Sequence, residues 1–215
     1  MPRVKSKRPY RSTLRQEQAS QTRLRILDTA QRLFTDHGYG ATTMESIAAE
    51  AGVATDTVYA SFGTKAGVLH KLLDIRVGGD DSPVALLDRQ GPQKVRAEPN
   101  QRAQVAAFAA DVAQILERAR PVDDIMRGAA AVDPEIAALR ARMQGGSRYA
   151  NTKRFVSWLA ANGPFRGGTG DEEAAAIVWT LASPEVHGLL RGEREWSRER
   201  YVAWLADTLT RTLLR

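Results

Sequence analysis

Apolar side chains recur at intervals of three and four residues along most of the chain, the spacing that gathers them on one face of an α-helix. This pattern predicts a first amphipathic helix over residues 22–37 that ends at Gly38. A second helix is predicted from Thr42, whose hydroxyl can cap it while Glu45 reaches back to the capping amide, and it ends at Gly52. No sustained alternation of apolar and polar residues occurs, so the predicted fold class is all-α.

The pattern continues with a short third helix from Thr55 to Phe62, whose large side chain we assign wholly to the core, and a fourth helix from Thr64 to about residue 77. A cluster of glycine, aspartate and proline at residues 78–83 favours loop structure, and we expect a domain boundary there.

In the remainder of the chain, the pattern predicts one or two short helices before residue 99 and several longer helices after it. The longer helices begin at residues that favour helix N-termini: Asn100, Asp133, the acidic run 171–173 and Ser197. Pro121 is expected to end or kink the first of them, and Pro184 to bend the third.

The net charge of +6 is concentrated at the N-terminus, where residues 1–25 carry eight basic side chains and one acidic one. We interpret residues 1–20 as a flexible basic arm that includes Arg8 and Arg11. Such arms commonly bind nucleic acid, because each neutralised phosphate releases condensed counterions. A solubilising leader without a partner is the alternative interpretation.

Composition excludes several classes of protein. The chain has no cysteine, which rules out disulfides, thiolate catalysis and cysteine-ligated metal centres. No apolar stretch approaches the roughly 18 residues of a membrane helix, and no secretion signal is recognisable, so we expect a cytoplasmic protein without a membrane partner. The three histidines lie on different predicted helices, without a glycine-rich phosphate loop or a metal-spaced cluster. We therefore expect neither an enzyme nor a metal or cofactor.

The second and third predicted helices are joined by a tight turn at Gly52, which is typical of a helix-turn-helix. Ala48 and Ala51 are small enough to let the two helices approach, and Gly52 can adopt the positive φ that the turn requires. An ordinary helical hairpin would show the same pattern.

Residues 22–73 resemble the N-terminal domain of the TetR family of bacterial transcription regulators. The resemblance rests on Ile26, Ala30, Leu33, Phe34, Gly38 and Tyr39, and on the run TTMESIAAEAGVATDTVYASFGTKAGVL from Thr42 to Leu69. The rest of the chain resembles the family mainly in its helical plan.

The resemblance implies an N-terminal three-helix helix-turn-helix DNA-binding domain over residues 21–77 and a C-terminal helical domain for effector binding and dimerisation over residues 78–215. It implies a sequence-specific regulator, most simply a repressor released from a palindromic double-stranded DNA operator by a small-molecule effector. An activator of the same fold, or an architectural DNA-binding protein without a ligand, remains open.

The resemblance also assigns roles to single residues of the DNA-binding domain. Base edges would be contacted by Thr55, Asp56, Thr57 and Ser61, and phosphates by Tyr59, Lys65, Thr42 and Thr43. For Tyr59, a partly buried core position is the alternative. Because the third helix carries no lysine or arginine, we expect the arm, with Arg8 and Arg11, to supply most of the phosphate attraction.

In the C-terminal domain, the resemblance places effector contacts and a homodimer interface on the long helices. Candidate effector contacts are Phe108, Met126, Asn151, Phe155, Trp158 and Trp179. Candidate interface residues are Ile177, Leu181, Leu189, Leu205 and Leu209. Each of these side chains could instead belong to the monomer's own core.

Overall fold

The computed structural model describes the chain from residue 10 to residue 215, with side chains from residue 17 onward. Within this part of the chain the secondary structure is helical and contains no strand, which confirms the all-α prediction. The α-helices are α1 (Tyr10–Ala41), α2 (Met44–Ala51), α3 (Thr55–Phe62), α4 (Lys65–Gly78), α5 (Gln90–Ala97), α6 (Gln101–Ala130), α7 (Pro134–Ala141), α8 (Tyr149–Ala161), α9 (Asp171–Leu181), α10 (Pro184–His187) and α11 (Arg198–Leu213).

Two further kinds of helix occur between these elements. Single 3₁₀ turns lie at Leu86–Asp88 and Arg166–Gly168, and π-helical segments at Arg142–Arg148 and Gly188–Glu193. The chain divides into two compact units, one up to Leu72 and one comprising Leu73–Arg215. The division falls within α4, whose last residue is Gly78.

The N-terminal unit is built around fully buried aliphatic side chains from each of its helices. They include Ile26 and Leu27 of α1, Ile47 of α2, Val58 of α3 and Leu69 of α4. Burying each such side chain contributes roughly 1.5 to 3 kcal/mol. Phe62 is only half-buried, so the prediction that it belongs wholly to the core is wrong.

The first helix is longer than the apolar pattern predicts. α1 begins at Tyr10 rather than near residue 22, so residues 10–20 of the predicted arm have helical backbone. Residues 1–9, including Arg8, lie outside the described residues, and the side chain of Arg11 is likewise not described. The predicted break at Gly38 is confirmed, because its φ of 80° and ψ of 156° are non-helical and accessible essentially to glycine alone.

The cap of α2 lies one residue later than predicted. Thr43 is the N-cap, and its hydroxyl accepts a 3.1 Å hydrogen bond from the Ser46 amide while the Ser46 hydroxyl accepts one from the Thr43 amide. Thr42 is buried, and its hydroxyl hydrogen is shared between the carbonyls of Gly38, at 2.9 Å, and Leu33, at 3.2 Å, both in α1. Thr42 therefore hydrogen-bonds to the backbone of α1 instead of capping α2.

The C-terminal unit has a core formed chiefly by α6, α8, α9 and α11. Its central side chains are Val105, Phe155, Leu159, Val178, Tyr201, Leu205 and Leu209, all of them buried. Pro121 does not end α6, which runs unbroken from Gln101 to Ala130. The proline is exposed, and its buried neighbours Ala119 and Val122 hold the helix against the core, which offsets the missing hydrogen bond. Pro184 starts the separate helix α10 behind the cap Ser183, instead of bending α9.

Candidate nucleic-acid interface and ligand cavity

The turn between α2 and α3 has helix-turn-helix geometry. Gly52 adopts a left-handed conformation, with φ 66° and ψ 42°, and its amide donates to carbonyls of the last turn of α2. The amide of Val53 then donates to the carbonyl of Ala48 over 3.0 Å, which closes the turn. A Cβ atom at position 52 would meet no neighbour, so it is the backbone conformation that favours glycine there. The turn predicted at Gly52 is confirmed.

Helix α3 buries one side and exposes the other. Val58 has no exposed surface, whereas Asp56 and Ser61 are exposed and Thr55 and Thr57 are half-buried. The Ser61 hydroxyl donates to the Thr57 carbonyl over 2.7 Å, so it points along the outer side of the helix. The outer face of α3 therefore carries short polar side chains, a composition suited to hydrogen bonding with base edges.

Tyr59 projects from α3 with 45% of its surface exposed, so its alternative placement as a core aromatic does not hold. Its hydroxyl donates a 3.3 Å hydrogen bond to Oε1 of Glu45, in the first turn of α2. Hydrogen bonds from its own backbone amide and from Thr43 keep the pKa of Glu45 below its usual value. The negative charge of Glu45 in turn raises the pKa of Tyr59. Sequence reasoning assigned Glu45 to capping alone and missed its contact with Tyr59.

Lys65, at the start of α4, is held within the N-terminal unit. Its ammonium donates to the carbonyls of Tyr39, over 2.8 Å, and of Thr42, over 2.9 Å. It also lies 4.2 Å from the centre of the Tyr39 ring, within the range of a cation–π interaction. Since an ammonium has three hydrogens, one donor remains for a phosphate.

The helix-turn-helix itself is acidic. Residues 42–64 contain Glu45, Glu50 and Asp56 and no lysine or arginine. Glu50 forms a 2.5 Å ion pair with Arg32 of α1, which leaves Glu45 and Asp56 as the acids of this segment without a cationic partner among the described residues. An interface with DNA would therefore need its positive charge from outside α2 and α3.

The C-terminal unit contains a cavity of about 190 Å³, roughly fifteen times the space that one buried water requires. Of the predicted effector contacts, Phe108, Asn151, Phe155 and Trp158 line it. The rings of Phe108 and Phe155 are stacked, with centres 3.8 Å apart and planes 10° from parallel. An apolar wall with stacked aromatic rings is typical of a small-molecule site.

Two of the predicted contacts do not line this cavity. Met126 has no exposed surface and packs as a core residue of α6. Trp179 donates its indole N–H to the carbonyl of Gln144 over 3.1 Å, and the Arg148 guanidinium lies 4.5 Å from the centre of its ring. Residue type and position on a helix predict both contacts, but neither property reveals which face of the helix meets the cavity.

A hydrogen-bonded polar network forms one side of the cavity. Asp123 of α6 accepts hydrogen bonds from Arg140 and Gln144, and Gln144 accepts one from Arg148 over 2.7 Å. Arg148 also donates to the carbonyl of Trp179. Burial lowers the pKa of Arg148 to about 10, so it stays a cation near neutral pH. Sequence reasoning missed this network, because its members come from α6, α7 and the π-helical segment and no local spacing links them.

A second acid on the wall of the cavity, Asp111 of α6, is half-buried and has no hydrogen-bond partner among the described residues. Burial raises its pKa, and the nearby charge of Arg118 partly opposes that effect.

The predicted interface residues separate into two groups. Leu205 and Leu209 have no exposed surface and belong to the core of the unit, so they cannot contact a second copy and are removed from the predicted interface. Ile177 and Leu181 are half-buried, and Leu189 is 51% exposed. The helical pattern correctly predicts an apolar stripe on α11, but this stripe packs against the core of its own unit.

The structure also bears on other kinds of site. From residue 17 onward, where side chains are described, no group of three histidine, aspartate or glutamate side chains is placed to hold a metal ion. Over the same residues, no helix is long and apolar enough to cross a membrane.

Comparison with known proteins places residues 26–72 within the sequence model for bacterial regulatory proteins of the tetR family. This region contains α2, α3 and the turn at Gly52. Regulators of this family are non-enzymatic DNA-binding proteins.

The HTH-type transcriptional regulator TtgR of Pseudomonas putida is 40% identical over 58 residues, which are 27% of this chain and 28% of TtgR. The alignment thus spans less than a third of that relative. Several solved structures match nearly the whole fold, among them SmeT and NalD. The SmeT–triclosan complex is 22% identical, covers 90% of this chain and 92% of its own, and has a TM-score of 0.68.

The second is NalD, the secondary repressor of the MexAB-OprM multidrug efflux pump in Pseudomonas aeruginosa. It is 21% identical, covers 93% of this chain and 98% of its own, and has a TM-score of 0.70. At this level of identity the two structures show a shared fold. Residues 26–72 therefore match the bacterial regulatory proteins of the tetR family, and the chain as a whole shares the fold of SmeT and NalD.

Proposed function

We propose that the chain is a sequence-specific DNA-binding repressor that binds a palindromic operator in the cytoplasm and is released by a small-molecule effector. The observation that carries the proposal is the polar outer face of α3, presented beyond the left-handed turn at Gly52 while Val58 anchors the opposite side. A helix held in this way can enter a major groove.

In this proposal, α3 contacts base edges through Thr55, Asp56, Thr57 and Ser61. Phosphates are held by Tyr59, by the amide end of α2 at Thr43, by the remaining donor of Lys65, and by the arm with Arg8 and Arg11. The hydroxyl of Thr42 is excluded from this set, because it is buried and donates to two carbonyls.

Reading two successive major grooves requires two recognition helices about 34 Å apart, which a homodimer provides. The accessible apolar side chains Leu189, Ile177 and Leu181 are the proposed contacts between copies, supported by their partial exposure on the C-terminal unit. Two-fold symmetry of the protein then implies a two-fold symmetric operator.

Release by an effector is supported by the cavity in the C-terminal unit. Leu73 and Val77 of α4 are among its lining residues, and α4 begins at Lys65 next to the helix-turn-helix. A ligand that binds better to a conformation with displaced recognition helices lowers operator affinity by the same coupling factor. The relatives' names, a triclosan complex and an efflux-pump repressor, agree with this mode of action.

The test is selection of bound duplexes from a random pool, followed by anisotropy titrations of the winning duplex with and without candidate small molecules. We expect a two-fold symmetric consensus and release by at least one compound class. Equal, weak binding to every duplex would favour an architectural DNA-binding protein. A reporter under the selected operator separates the two remaining modes, since deletion of a repressor raises expression and deletion of an activator lowers it.

A further inference from the structure

The cavity of the C-terminal unit contains one acidic side chain that the protein itself leaves without a hydrogen bond among the described residues. We propose that this cavity takes an organic cation with an aromatic or otherwise apolar body, and that Asp111 selects the positive charge. The inference rests on the proposed function and deepens it, because it names the chemical class of the effector.

Asp111 lies on α6 and contributes to the wall of the cavity, where it is half-buried. It has no hydrogen-bond donor in the described part of the chain. Its carboxylate packs against the backbone of α5, since a Cβ atom on Gly91 would come within 1.9 Å of Oδ1. Removing a carboxylate from water without a donor is costly, so a cationic group in the cavity would supply the interaction that the chain does not.

The other charged side chains of the cavity wall are already satisfied. Asp123 is paired with Arg140 over 3.1 Å and accepts from Gln144, while Arg148 donates to Gln144 and to a backbone carbonyl. A ligand would have to break this network to use either charge. Asp111 offers its charge without such a cost.

Arg118, whose charge acts on Asp111, forms its own hydrogen bonds with the backbone of α4. Its guanidinium donates to the carbonyls of Arg76, over 3.1 Å, and Val77, over 3.3 Å, at the end of α4. Burial raises the pKa of Asp111, and the charge of Arg118 partly opposes that effect, but Arg118 forms no hydrogen bond with Asp111. The carboxyl group of Asp111 thus has an open hydrogen-bonding position and is not half of a hydrogen-bonded ion pair.

The apolar body of the ligand would be placed by aromatic side chains. Phe108 precedes Asp111 by three residues and Ile115 follows it by four, so both lie on the same face of α6 and line the same cavity. Phe108 stacks on Phe155, and Trp158 adds a further ring. Aromatic faces attract cations in addition to burying apolar surface, which matches the combination proposed here.

A second, more open cavity shares Asp111 with the first but is lined by Arg89, Arg118 and Arg198 as well as by acids. An anionic ligand would find more positive charge there. The experiment therefore includes an anionic probe of the same shape, which separates the two possibilities.

The test uses three naphthalene compounds of nearly equal shape on the full-length protein: 1-naphthylmethylamine, 1-naphthylmethanol and 1-naphthoate. Calorimetric titration gives each dissociation constant at pH 7. We expect the amine to bind at least ten-fold more tightly than the alcohol, and the naphthoate to bind most weakly. In Asp111→Asn the preference for the amine should fall below two-fold, while the alcohol binds as in the wild type and so reports an intact cavity.

Asp207→Asn is the matched control, because Asp207 is an exposed carboxylate of α11 paired with Arg211 over 2.8 Å. It should keep the full preference for the amine. Four results would each overturn the inference. They are equal binding of the amine and the alcohol, tighter binding of the naphthoate than of the amine, no binding of any of the three compounds, and a preference for the amine that persists in Asp111→Asn.

Operator binding is measured separately on the free protein. Failure to recognise DNA, with the charge preference intact, would count against the proposed function alone.

Discussion

The hydroxyl of Tyr59 on α3 donates a hydrogen bond of 3.3 Å to the carboxylate of Glu45 on α2, fourteen residues earlier in the chain. Glu45 also accepts from its own backbone amide and from Thr43 at the start of α2. Tyr59, Thr43 and the first amides of α2 are the groups proposed to hold a DNA phosphate. The carboxylate of Glu45 therefore occupies, within the protein, donors that an operator phosphate would use.

Replacing Glu45 with glutamine should strengthen DNA binding. The glutamine keeps the size and can still accept a hydrogen bond from Tyr59, but it no longer repels a phosphate at this position. Removal of one like charge about 4 Å from a phosphate corresponds to about a five-fold gain in affinity in water, and to less as salt screens it. Anisotropy titrations of the selected operator at low and at physiological salt measure the gain.

Glu50→Gln is the control for this substitution. Glu50 lies on the same helix but is paired with Arg32, so its removal frees a cation instead of unmasking the proposed phosphate site. We expect its gain to be equal for operator and unrelated duplexes. Weaker operator binding by Glu45→Gln than by the wild type would show that Glu45 supports the bound state instead of competing with phosphate.

The helix-turn-helix could be predicted from the sequence because it depends on neighbouring residues. Features that depend on how helices pack against each other could not be predicted in this way. The turn at Gly52 depends on one glycine conformation and on small neighbours, all within a few residues. The contact between Glu45 and Tyr59 depends on how α2 and α3 cross, and the open acid Asp111 on which face of α6 meets the cavity. Periodicity likewise placed Leu205 on an apolar stripe without showing that its own chain covers it.

Deleting residues 2–15 should weaken DNA binding and reduce its dependence on salt. The deletion removes six basic side chains, whereas residues 42–64 have none. Each lost phosphate contact lowers the slope of log affinity against log salt by about 0.9. The milder variant Arg8→Ala with Arg11→Ala should lower the slope by about 2. An exposed arginine of the C-terminal unit, Arg211→Ala, is the control, and an unchanged slope in both arm variants would refute the role of the arm.

Lys65→Met should destabilise the N-terminal unit. The variant keeps much of the aliphatic stem but loses two charge-assisted hydrogen bonds, to Tyr39 and Thr42, and the contact with the Tyr39 ring. We expect the free energy of unfolding to fall by about 2 kcal/mol, measured by urea denaturation without DNA. Arg25→Met, at an exposed position of α1 in the same unit, is the control and should cost less. An unchanged stability in Lys65→Met would leave phosphate binding as the main role of this lysine.

Acidification should destabilise the C-terminal unit through His187. This histidine is 2% exposed, packs edge-on against Tyr201 with ring centres 4.9 Å apart, and has no hydrogen-bond partner at either ring nitrogen among the described residues. Burial, with the charges of Arg120 and Arg191, lowers its pKa from 6.5 to about 4. Between these two values the unfolded chain binds a proton that the folded chain does not, so stability is full above pH 6.5 and falls as the pH drops towards 4.

The lowered pKa of His187 corresponds to a loss of about 3 kcal/mol in the free energy of unfolding when the pH has fallen from above 6.5 to below 4. The measurement is the pH dependence of urea denaturation for the wild type and for His187→Phe, which keeps a ring against Tyr201 but cannot take up a proton. Carboxylates elsewhere titrate in both proteins, so the difference between the two curves isolates His187. We expect the wild type to lose stability relative to His187→Phe as the pH falls from 6.5 to about 4. Parallel curves would mean that the folded protein accommodates a charged His187 as readily as the unfolded chain does.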